Sequence, residues 1–474
     1  MLKVRKNSST RLFASNVNKF LWQFPDLKYN GIQVVCTVCD KTLLCWNTQM
    51  CKKHVNTAAH KFKKTGEKPY VTFICDLIFM FSASNVPFVK IRQVHFRRFW
   101  KKYNSKLKLP SLTTLQRHLP AVREKIENDI KSSIKNKRIW LTIDVNTDSK
   151  NKSVLSILVR TLDSQGPSQP YLLAVKRLQQ CTGEVIINLI VRTLQKFKIV
   201  PKQVLMIVTD STPVMLYTGY LFKSIRPHLL HITCLLHALY LVTDEIRKCY
   251  PNVDEFITQT KAFLKSPKHI QQFFSQYPDI AELPQPNILR WGSWLEIAFY
   301  YFEHFEKIKL LILQPDTKVE IAIKQSQKPF LYSQLAADLR YIYNYLPIAD
   351  AIKKLQNTSL SLPQSLEIIN NVQIVLQTLN DEKSVRIREE FNTVLSENLD
   401  FIRLQQIYSN GGSRDPFDKF KDHFNYANIT SLDVERSLSL YKQIFSPQRT
   451  RLKETTVETY AMLQVFSRAH PNCL

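Results

Sequence analysis

Three acidic residues, far apart in the chain, stand where they could bind divalent metal ions together. Asp144 lies in the extended, apolar run at 138–147, and Asp210 ends a later apolar run. Glu435 lies in the stretch at 431–445, which has the periodicity of an amphipathic helix. A buried, unpaired carboxylate costs several kcal/mol, so acids in apolar strands are usually paired, capped or metal-bound. If the two strands are neighbours, the three acids can hold two Mg²⁺ or Mn²⁺ ions for phosphoryl transfer.

Taken singly, each aspartate is better explained as a helix cap or a surface acid. The order of strand aspartate, strand aspartate and helix glutamate favours the joint site.

A second set of residues has the spacing of a zinc site. Two cysteines separated by two residues are followed, after fourteen residues, by two histidines separated by five. Zinc accepts two thiolates and two imidazoles in tetrahedral geometry. The predicted ligands are Cys36, Cys39, His54 and His60. Cys45 and Cys51 lie in the intervening loop and could compete as ligands, or all four cysteines could be small buried residues, which would leave the histidines unexplained.

Positive charge is concentrated in the front third of the chain. Residues 1–138 carry 28 lysines and arginines against 7 aspartates and glutamates, within a total formal charge of +27. Nucleic acid is the commonest partner of such a segment. The candidate DNA contacts are Lys61, Lys63 and Lys64 after the finger, and Arg97, Arg98, Lys101 and Lys102, which alternate with aromatic residues. For the second group, a helix with a solvated basic face is the alternative. An anionic membrane is the other polyanion, but no run of about 18 apolar residues occurs.

Cysteine and glycine usage narrows the class of protein. The nine cysteines, with no apolar signal core at the start, indicate thiols or metal ligands in a reducing compartment. The clusters KVRK and HKFKK are compatible with nuclear import, so we expect a nuclear protein, although both could instead contact DNA. Only eight glycines occur and no glycine-rich phosphate loop is present, which disfavours chemistry driven by nucleotide hydrolysis.

The pattern of hydrophobic residues predicts an α/β core followed by an all-α region. The predicted strands cover 138–147, 153–162, 170–178, 203–210 and 229–234, and the predicted helices of this region include 182–198 and 235–250. From 250 to 425 strand signals nearly vanish. We predict a zinc finger at 1–68, a helical DNA-binding or dimerisation segment at 69–137, an α/β core at 138–249, an all-α insertion at 250–425 and a helical return to the core at 426–474.

The order of these motifs resembles that of hAT-superfamily DNA transposases, in the branch whose finger is similar to CGG-repeat-binding proteins. The matching stretches are LTIDVNTDS, IVTDSTPVM, CLLHALYLV, LRWGSWL and SLDVERSLSLYKQIFSPQRTRL, together with the finger. The resemblance implies an RNase H-like core interrupted by a helical insertion and a DDE triad at Asp144, Asp210 and Glu435. It also implies a BED-type finger.

Four further residues are assigned roles only by this resemblance. Cys234 and His237 match a C-x-x-H motif whose histidine lies by the active site and contacts DNA, although a packed thiol and imidazole explain them equally. Trp291 matches the tryptophan that stacks on a base flipped out when the flanking DNA end forms a hairpin, and Arg290 beside it is a natural phosphate contact. Without the resemblance, Trp291 would be taken as a core residue.

Two positions depart from the family pattern. Val214 stands four residues after Asp210, where many relatives have asparagine, and Leu438 replaces an aromatic residue after Glu435. Neither change removes a metal ligand, but both leave transposition by this chain open.

These observations predict a Mg²⁺-dependent cut-and-paste transposase, acting at least as a dimer, that binds terminal inverted repeats and joins 3'-hydroxyls to target DNA. The main alternative is a domesticated transposase that regulates chromatin or transcription without catalysis. A structural RNase H-like scaffold that dimerises through its helices is the third.

Overall fold

A computed structural model of the chain describes 21–30, 33–43, 47–65, 69–104, 107–148, 150–163, 165–280, 293–313, 326–409, 415–445 and 452–470. The chain forms two compact units, Met1–Glu124 and Lys125–Cys473. The division falls within one long helix, Leu112–Ile134. The finer division into five parts stays a prediction.

The first unit combines a small antiparallel sheet with helices. Its elements are β1 Leu27–Tyr29, β2 Val34–Cys36, β3 Lys41–Leu43, α1 Thr48–Val55, α2 Ala58–Thr65, α3 Pro69–Ala83, a 3-10 helix Phe88–Arg92, α4 Val94–Tyr103 and the start of α5, Leu112–Ile134. The strands pair in the order β1-β2-β3. The side chain of Asn47 accepts a hydrogen bond from the backbone N–H of Met50 at the start of α1, and Ser111 accepts one from Thr114 at the start of α5.

The second unit contains a five-stranded mixed sheet. Its strands are β4 Ile139–Thr147, β5 Ser153–Thr161, β6 Tyr171–Arg177, β7 Val204–Thr209 and β8 Leu230–Thr233. They lie in the order β6-β5-β4-β7-β8, with β5 antiparallel to both neighbours and β4, β7 and β8 mutually parallel. Each predicted strand is therefore present. The central strands are rich in Ile, Leu and Val and are buried on both faces, as expected for parallel pairing.

A register shift in the centre of the sheet determines which side chains of β4 and β7 are neighbours. Ile139 pairs with Val204, but Trp140 pairs with Met206, so one residue of β7 is skipped. Beyond the shift the register continues to the pair Thr142 and Val208. Such irregularities redirect side chains in a strand. Here the shift brings residue 144 level with residue 210.

Helices surround the sheet and then form the rest of the chain. They are α6 Gly183–Lys196, α7 Pro213–Ile225, α8 Leu235–Cys249, α9 Pro251–Leu264, α10 Pro267–Gln276, α11 Ser293–Glu303, α12 Phe305–Ile312, α13 Leu335–Ile342, α14 Leu346–Leu355, α15 Leu362–Thr378, α16 Glu382–Ser396, α17 Leu399–Ser409, α18 Leu432–Ile444 and α19 Glu454–Ala469. Short 3-10 helices occur at Pro201–Gln203, Lys328–Leu331, Tyr343–Tyr345 and Asp418–Tyr426. The unit is thus α/β with a mostly helical C-terminal portion.

One hydrophobic core joins the sheet to the helical portion. It extends from Trp140 in β4 through α8 and the helices after it to Leu432. On the sheet, α18 contacts β4 and β5, and α19 contacts β6. Among the described residues, no helix combines the length and the apolar character needed to cross a membrane.

The edge strand β8 is covered by side chains that precede and begin α17. The amide of Asn398 accepts a hydrogen bond from the N–H of Thr233 and donates one to its carbonyl, at 3.2 and 2.8 Å. Asp400 accepts from the N–H of His231 at 2.6 Å. These bonds take the place of those that a further strand would make. The helical portion therefore covers the β8 edge of the sheet.

Candidate active site and metal centres

Asp144 and Asp210 occupy adjacent positions on β4 and at the end of β7. Continuing the register by two residues beyond the pair Thr142 and Val208 places the two aspartates side by side. Both are buried, at 4% and 9% exposure. Aligned residues of parallel strands project to the same face of a sheet, so the two carboxylates share one environment.

The Asp210 side chain is held by the loop that starts α7. The backbone N–H and the hydroxyl of Thr212 both donate to its Oδ1, at 3.2 and 2.8 Å. Behind it, the hydroxyl of Thr209 donates to the Asp210 carbonyl and lies 2.8 Å from Nε2 of His231. Gly219 allows α7 to pack this closely, because a Cβ there would lie 1.9 Å from the His231 ring.

Glu435 reaches the same region from α18. It is 7% exposed, and the hydroxyl of Ser431, four residues earlier, donates to its Oε1 at 3.1 Å. Asp433, two residues before it, faces the opposite way and forms a buried, bidentate ion pair with Arg160 of β5, at 2.6 and 3.0 Å. This pair holds the first turn of α18 against the sheet. Asp433 is therefore a structural acid, whereas Glu435 is the candidate metal ligand.

Cys234 and His237 lie at the start of α8, beside Glu435. Nδ1 of His237 is 3.9 Å from Oε1 of Glu435, and the N–H of Ser431 donates to the Cys234 sulfur at 3.2 Å. Burial, with the nearby charge of Glu435, raises the pKa of the Cys234 thiol to about 12. A thiol with so high a pKa is protonated at neutral pH.

The three acids and His237 line one open cavity of about 970 Å³. The other lining residues are Val145, Asn146, Thr147, Asp148, Asn151, Leu438, Ser439, Lys442 and Gln443. The two aspartates come from the sheet and Glu435 comes from α18, so the cavity lies between the carboxyl ends of β4 and β7 and this helix. Leu438, the residue that departs from the family pattern, faces the same space.

The acids influence one another electrostatically. Burial, the negative charge of Asp210 and, less strongly, that of Glu435 together raise the pKa of Asp144 to about 7 against the opposing effect of His237. A cluster of buried carboxylates is unfavourable without a compensating charge, which a divalent cation would supply.

Two groups of potential ligands in the described residues have their ligand atoms within 4.8 Å of one another: Cys36, Cys39, His54 and His60 in the finger, and Cys234, His237 and Glu435 in the core. The trio Asp144, Asp210 and Glu435 lines one cavity without converging on a single point. Glu435 is turned toward Ser431 and His237. Two metal ions about 4 Å apart do not require all three acids around one centre.

The finger ligands are already assembled. Nδ1 of His60 lies 3.3 Å from the Cys36 sulfur, 3.4 Å from the Cys39 sulfur and 3.3 Å from Nε2 of His54. β2 and the turn after it supply the cysteines, and α1 and α2 supply the histidines. This donor set is consistent with Zn²⁺. Cys51 instead packs in the finger core, and Cys45 lies outside the described residues.

Asp26 supports the finger from outside the ligand set. Its Oδ2 lies 3.2 Å from Nε2 of His60, the ring nitrogen that faces away from the other ligands, and 2.5 Å from Nζ of Lys64. The Lys64 ammonium, more than any other group, holds the pKa of Asp26 below its ordinary value. A carboxylate in this position orients a metal-binding imidazole and makes it a stronger ligand.

Comparison with known families adds one result. Residues 107–263 match a domain of unknown function, DUF659. This domain is associated with hAT transposases, which are DNA-cutting enzymes. It covers 157 of the 474 residues and includes Asp144, Asp210 and His237, but neither the finger nor Glu435. A search of curated proteins found no significant match.

The candidate DNA contacts before the DUF659 match differ in their surroundings. Arg97, Arg98, Lys101 and Lys102 are all exposed on α4, and Phe99 between them is 63% exposed. Lys63 donates to the Cys39 carbonyl at 3.1 Å, so it and Lys64 contact the finger itself. Lys61 is exposed. Arg290 and Trp291 lie outside the described residues.

Several residues of these sites were not predicted from the sequence. Asp26 contacts the candidate ligand His60, and Ser431 contacts the candidate ligand Glu435. No recognisable sequence motif links either pair. Asn146 and Lys442 line the acidic cavity, and each could have been found from its spacing, two residues after Asp144 and seven after Glu435. Arg160 and Asp433 are separated by 273 positions, and no local signal pairs them.

Proposed function

We propose that the protein is a hAT-type cut-and-paste DNA transposase that cleaves DNA by two-metal phosphoryl transfer at Asp144, Asp210 and Glu435. The observation that carries this proposal is the convergence of these three acids on one cavity, in a chain with a DUF659 match. The reaction would form hairpins on the flanking DNA and join 3'-hydroxyl ends to target DNA.

The sheet supports an RNase H-like core. Three strands in a meander, followed by two parallel strands on the other side of β4, is the order expected of that fold, and the acids lie at its centre. The helical portion between β8 and α18 then corresponds to an insertion. In α/β sheets, chemistry gathers at the carboxyl ends of the strands, and Asp210 is at such an end.

The donor set fits Mg²⁺ or Mn²⁺. All three candidate ligands are carboxylates, which hard divalent cations prefer, and a bound cation would offset the burial and the mutual repulsion that raise the pKa of Asp144. Bound metal ions would make a water or 3'-hydroxyl nucleophilic and stabilise the leaving oxygen.

The chain's own residues position these ligands. Thr212 fixes the rotamer of Asp210, Ser431 holds Glu435, and the Arg160–Asp433 pair holds the helix that carries it. His237, half-buried at the cavity wall, can donate a hydrogen bond to a DNA phosphate.

The finger and the basic front would bind the terminal inverted repeats. Zinc at Cys36, Cys39, His54 and His60 would hold the finger as a BED-type module, and the four basic residues of α4 would contact phosphates. Such a protein acts in the nucleus and works on two DNA ends at once, so we propose at least a dimer.

A cleavage assay tests the proposal. Purified full-length protein is incubated with Mg²⁺ or Mn²⁺ and DNA that carries the inverted repeats flanking its own gene, and nicks and hairpins are resolved on denaturing gels. We expect cleavage at the repeat ends by the wild type and none by Asp144→Asn.

Wild-type protein that binds these ends tightly but never cuts them would overturn the catalytic proposal and favour a DNA-binding regulator. Intact repeats beside the gene, bordered by a short target duplication, would support a mobile element.

A further inference from the structure

Beside the acidic end of the cavity lies a second pair of facing polar residues. Nζ of Lys442, on α18, donates to Oδ1 of Asn146, on β4, at 3.0 Å. Both side chains are exposed, and both line the cavity that contains the three acids. The pair therefore joins the same two elements that carry Asp144 and Glu435.

The spacing along these elements places the pair one layer away from the acids. Asn146 lies two residues after Asp144, on the same face of β4 and about 6.7 Å along the strand. Lys442 lies seven residues after Glu435, on the same face of α18 and about 10.5 Å along the helix. One strand of B-DNA carries one phosphate per roughly 3.4 Å along its axis. The second layer is thus within reach of a phosphate close to the one held at the acids.

Charge supports a phosphate as the ligand. Of the described residues lining the cavity, Lys442 is the sole lysine or arginine. Its partner Asn146 is uncharged, and Lys442 forms no ion pair within the described part of the chain. The charge of Lys442 is therefore available to an anion. A DNA strand entering a cavity lined by four carboxylates needs such a cation away from the metal site.

We infer that Asn146 and Lys442 form a phosphate-binding subsite for the DNA strand that is cut, one or two nucleotides from the scissile phosphate. Lys442 supplies a point charge, and the Asn146 amide, freed from Lys442, supplies a hydrogen-bond donor to the same phosphate. This inference rests on the proposed function, because it concerns the substrate of that site.

Replacing single phosphates of the DNA with neutral methylphosphonates tests the inference. Duplex DNA is first cut by the wild-type protein in Mn²⁺ and the cut sites are mapped. A series of duplexes then carries one methylphosphonate at each phosphate near the cut. We expect wild-type cleavage to fall roughly tenfold at one position within two nucleotides of the cut, because one charge-assisted contact is lost.

The Lys442→Gln variant should cut unmodified DNA about tenfold more slowly and show no further loss at that position, while its losses elsewhere match those of the wild type. Lys353→Gln is the matched control, since Lys353 is an exposed lysine of α14 that does not line the cavity. It should behave as the wild type. A Lys442→Gln variant that retains the wild-type loss at that position would overturn the subsite.

Failure of the proposed function can be distinguished from failure of the subsite. If the wild type cuts nothing, the subsite is judged from binding to the same unmodified duplex in Ca²⁺. There, the slope of log affinity against log salt should be shallower by about one for Lys442→Gln, as expected for one lost phosphate contact. Equal slopes for the two proteins would overturn the subsite in that case.

Discussion

Asp144 is buried near the negative charges of Asp210 and Glu435, an arrangement that destabilises the fold unless a cation balances them. Its pKa rises to about 7, chiefly because of burial and then because of the charge of Asp210. The folded protein therefore binds a proton between about pH 4 and 7 that the unfolded chain releases. Ionisation of Asp144 therefore lowers the free energy of unfolding as the pH rises through that window. At pH 8 the full destabilisation is present.

Replacing Asp144 with asparagine should therefore stabilise the metal-free protein while abolishing cleavage. In EDTA at pH 8 we expect the free energy of unfolding to rise by roughly 1 to 4 kcal/mol, and the gain should shrink as the pH falls from 7 to 4. Chemical denaturation at several pH values measures it. Mg²⁺ should stabilise the wild type more than the variant.

Asp148 offers a control of opposite sign in the same cavity. Although burial opposes it, the backbone N–H groups of Lys152 and Lys150 and the Arg177 side chain hold the pKa of Asp148 below its ordinary value. Asp148→Asn should therefore lower stability at pH 8. If Asp144→Asn lowered stability at pH 8 as Asp148→Asn does, the electrostatic account of Asp144 would be wrong.

At the scale of elements, the position of α18 depends on one buried ion pair. Arg160 and Asp433 are 7% and 5% exposed at the side chain, and Arg160 also donates to the Ser168 carbonyl. Removing one member of such a pair leaves an uncompensated buried charge, which usually costs more than the pair itself contributes.

Arg160→Met should lower the free energy of unfolding by about 3–5 kcal/mol. The double variant Arg160→Met with Asp433→Leu should recover most of this loss, because it buries no charge. Arg436→Met, an exposed change on the same helix, should change stability by less than about 0.5 kcal/mol. Thermal and urea unfolding measure all three, and a double variant as unstable as the single one would contradict this account.

At the scale of the molecule, the two units have separate hydrophobic cores. Within the described ranges, the finger core has seven buried residues, of which Cys36 and Cys39 are themselves candidate ligands. So small a core rarely folds without a metal or another cross-link. The second unit has its own extensive core, which reaches from the sheet through the helical portion.

Removing zinc should therefore abolish sequence-specific DNA binding without unfolding the second unit. A strong chelator, or Cys36→Ser, should eliminate specific binding in a fluorescence anisotropy assay, while the main thermal transition stays within a few degrees. Asp26→Asn should produce a milder form of the defect, with zinc affinity reduced about 10- to 100-fold. Undiminished specific binding by Cys36→Ser would remove the finger from the binding mechanism.

The sequence alone determined the elements and the candidate ligands. Alternating or continuous apolar runs predicted all five strands of the second unit, and the periodicity of 431–445 predicted α18. The spacing of cysteines and histidines predicted the finger, because metal geometry restricts ligand spacing so strongly. In each case the signal is local, and the physical requirement acts over a few neighbouring residues.

Only the tertiary structure decided which distant residues meet. The register shift between β4 and β7 brings Asp144 level with Asp210, and a shift of one residue would have placed Thr209 there instead. The separation of roles between Asp433 and Glu435 depends on Arg160, and Asp26 reaches His60 across the finger. These contacts join residues tens to hundreds of positions apart, and their energies depend on burial and packing that arise only when the whole unit is assembled.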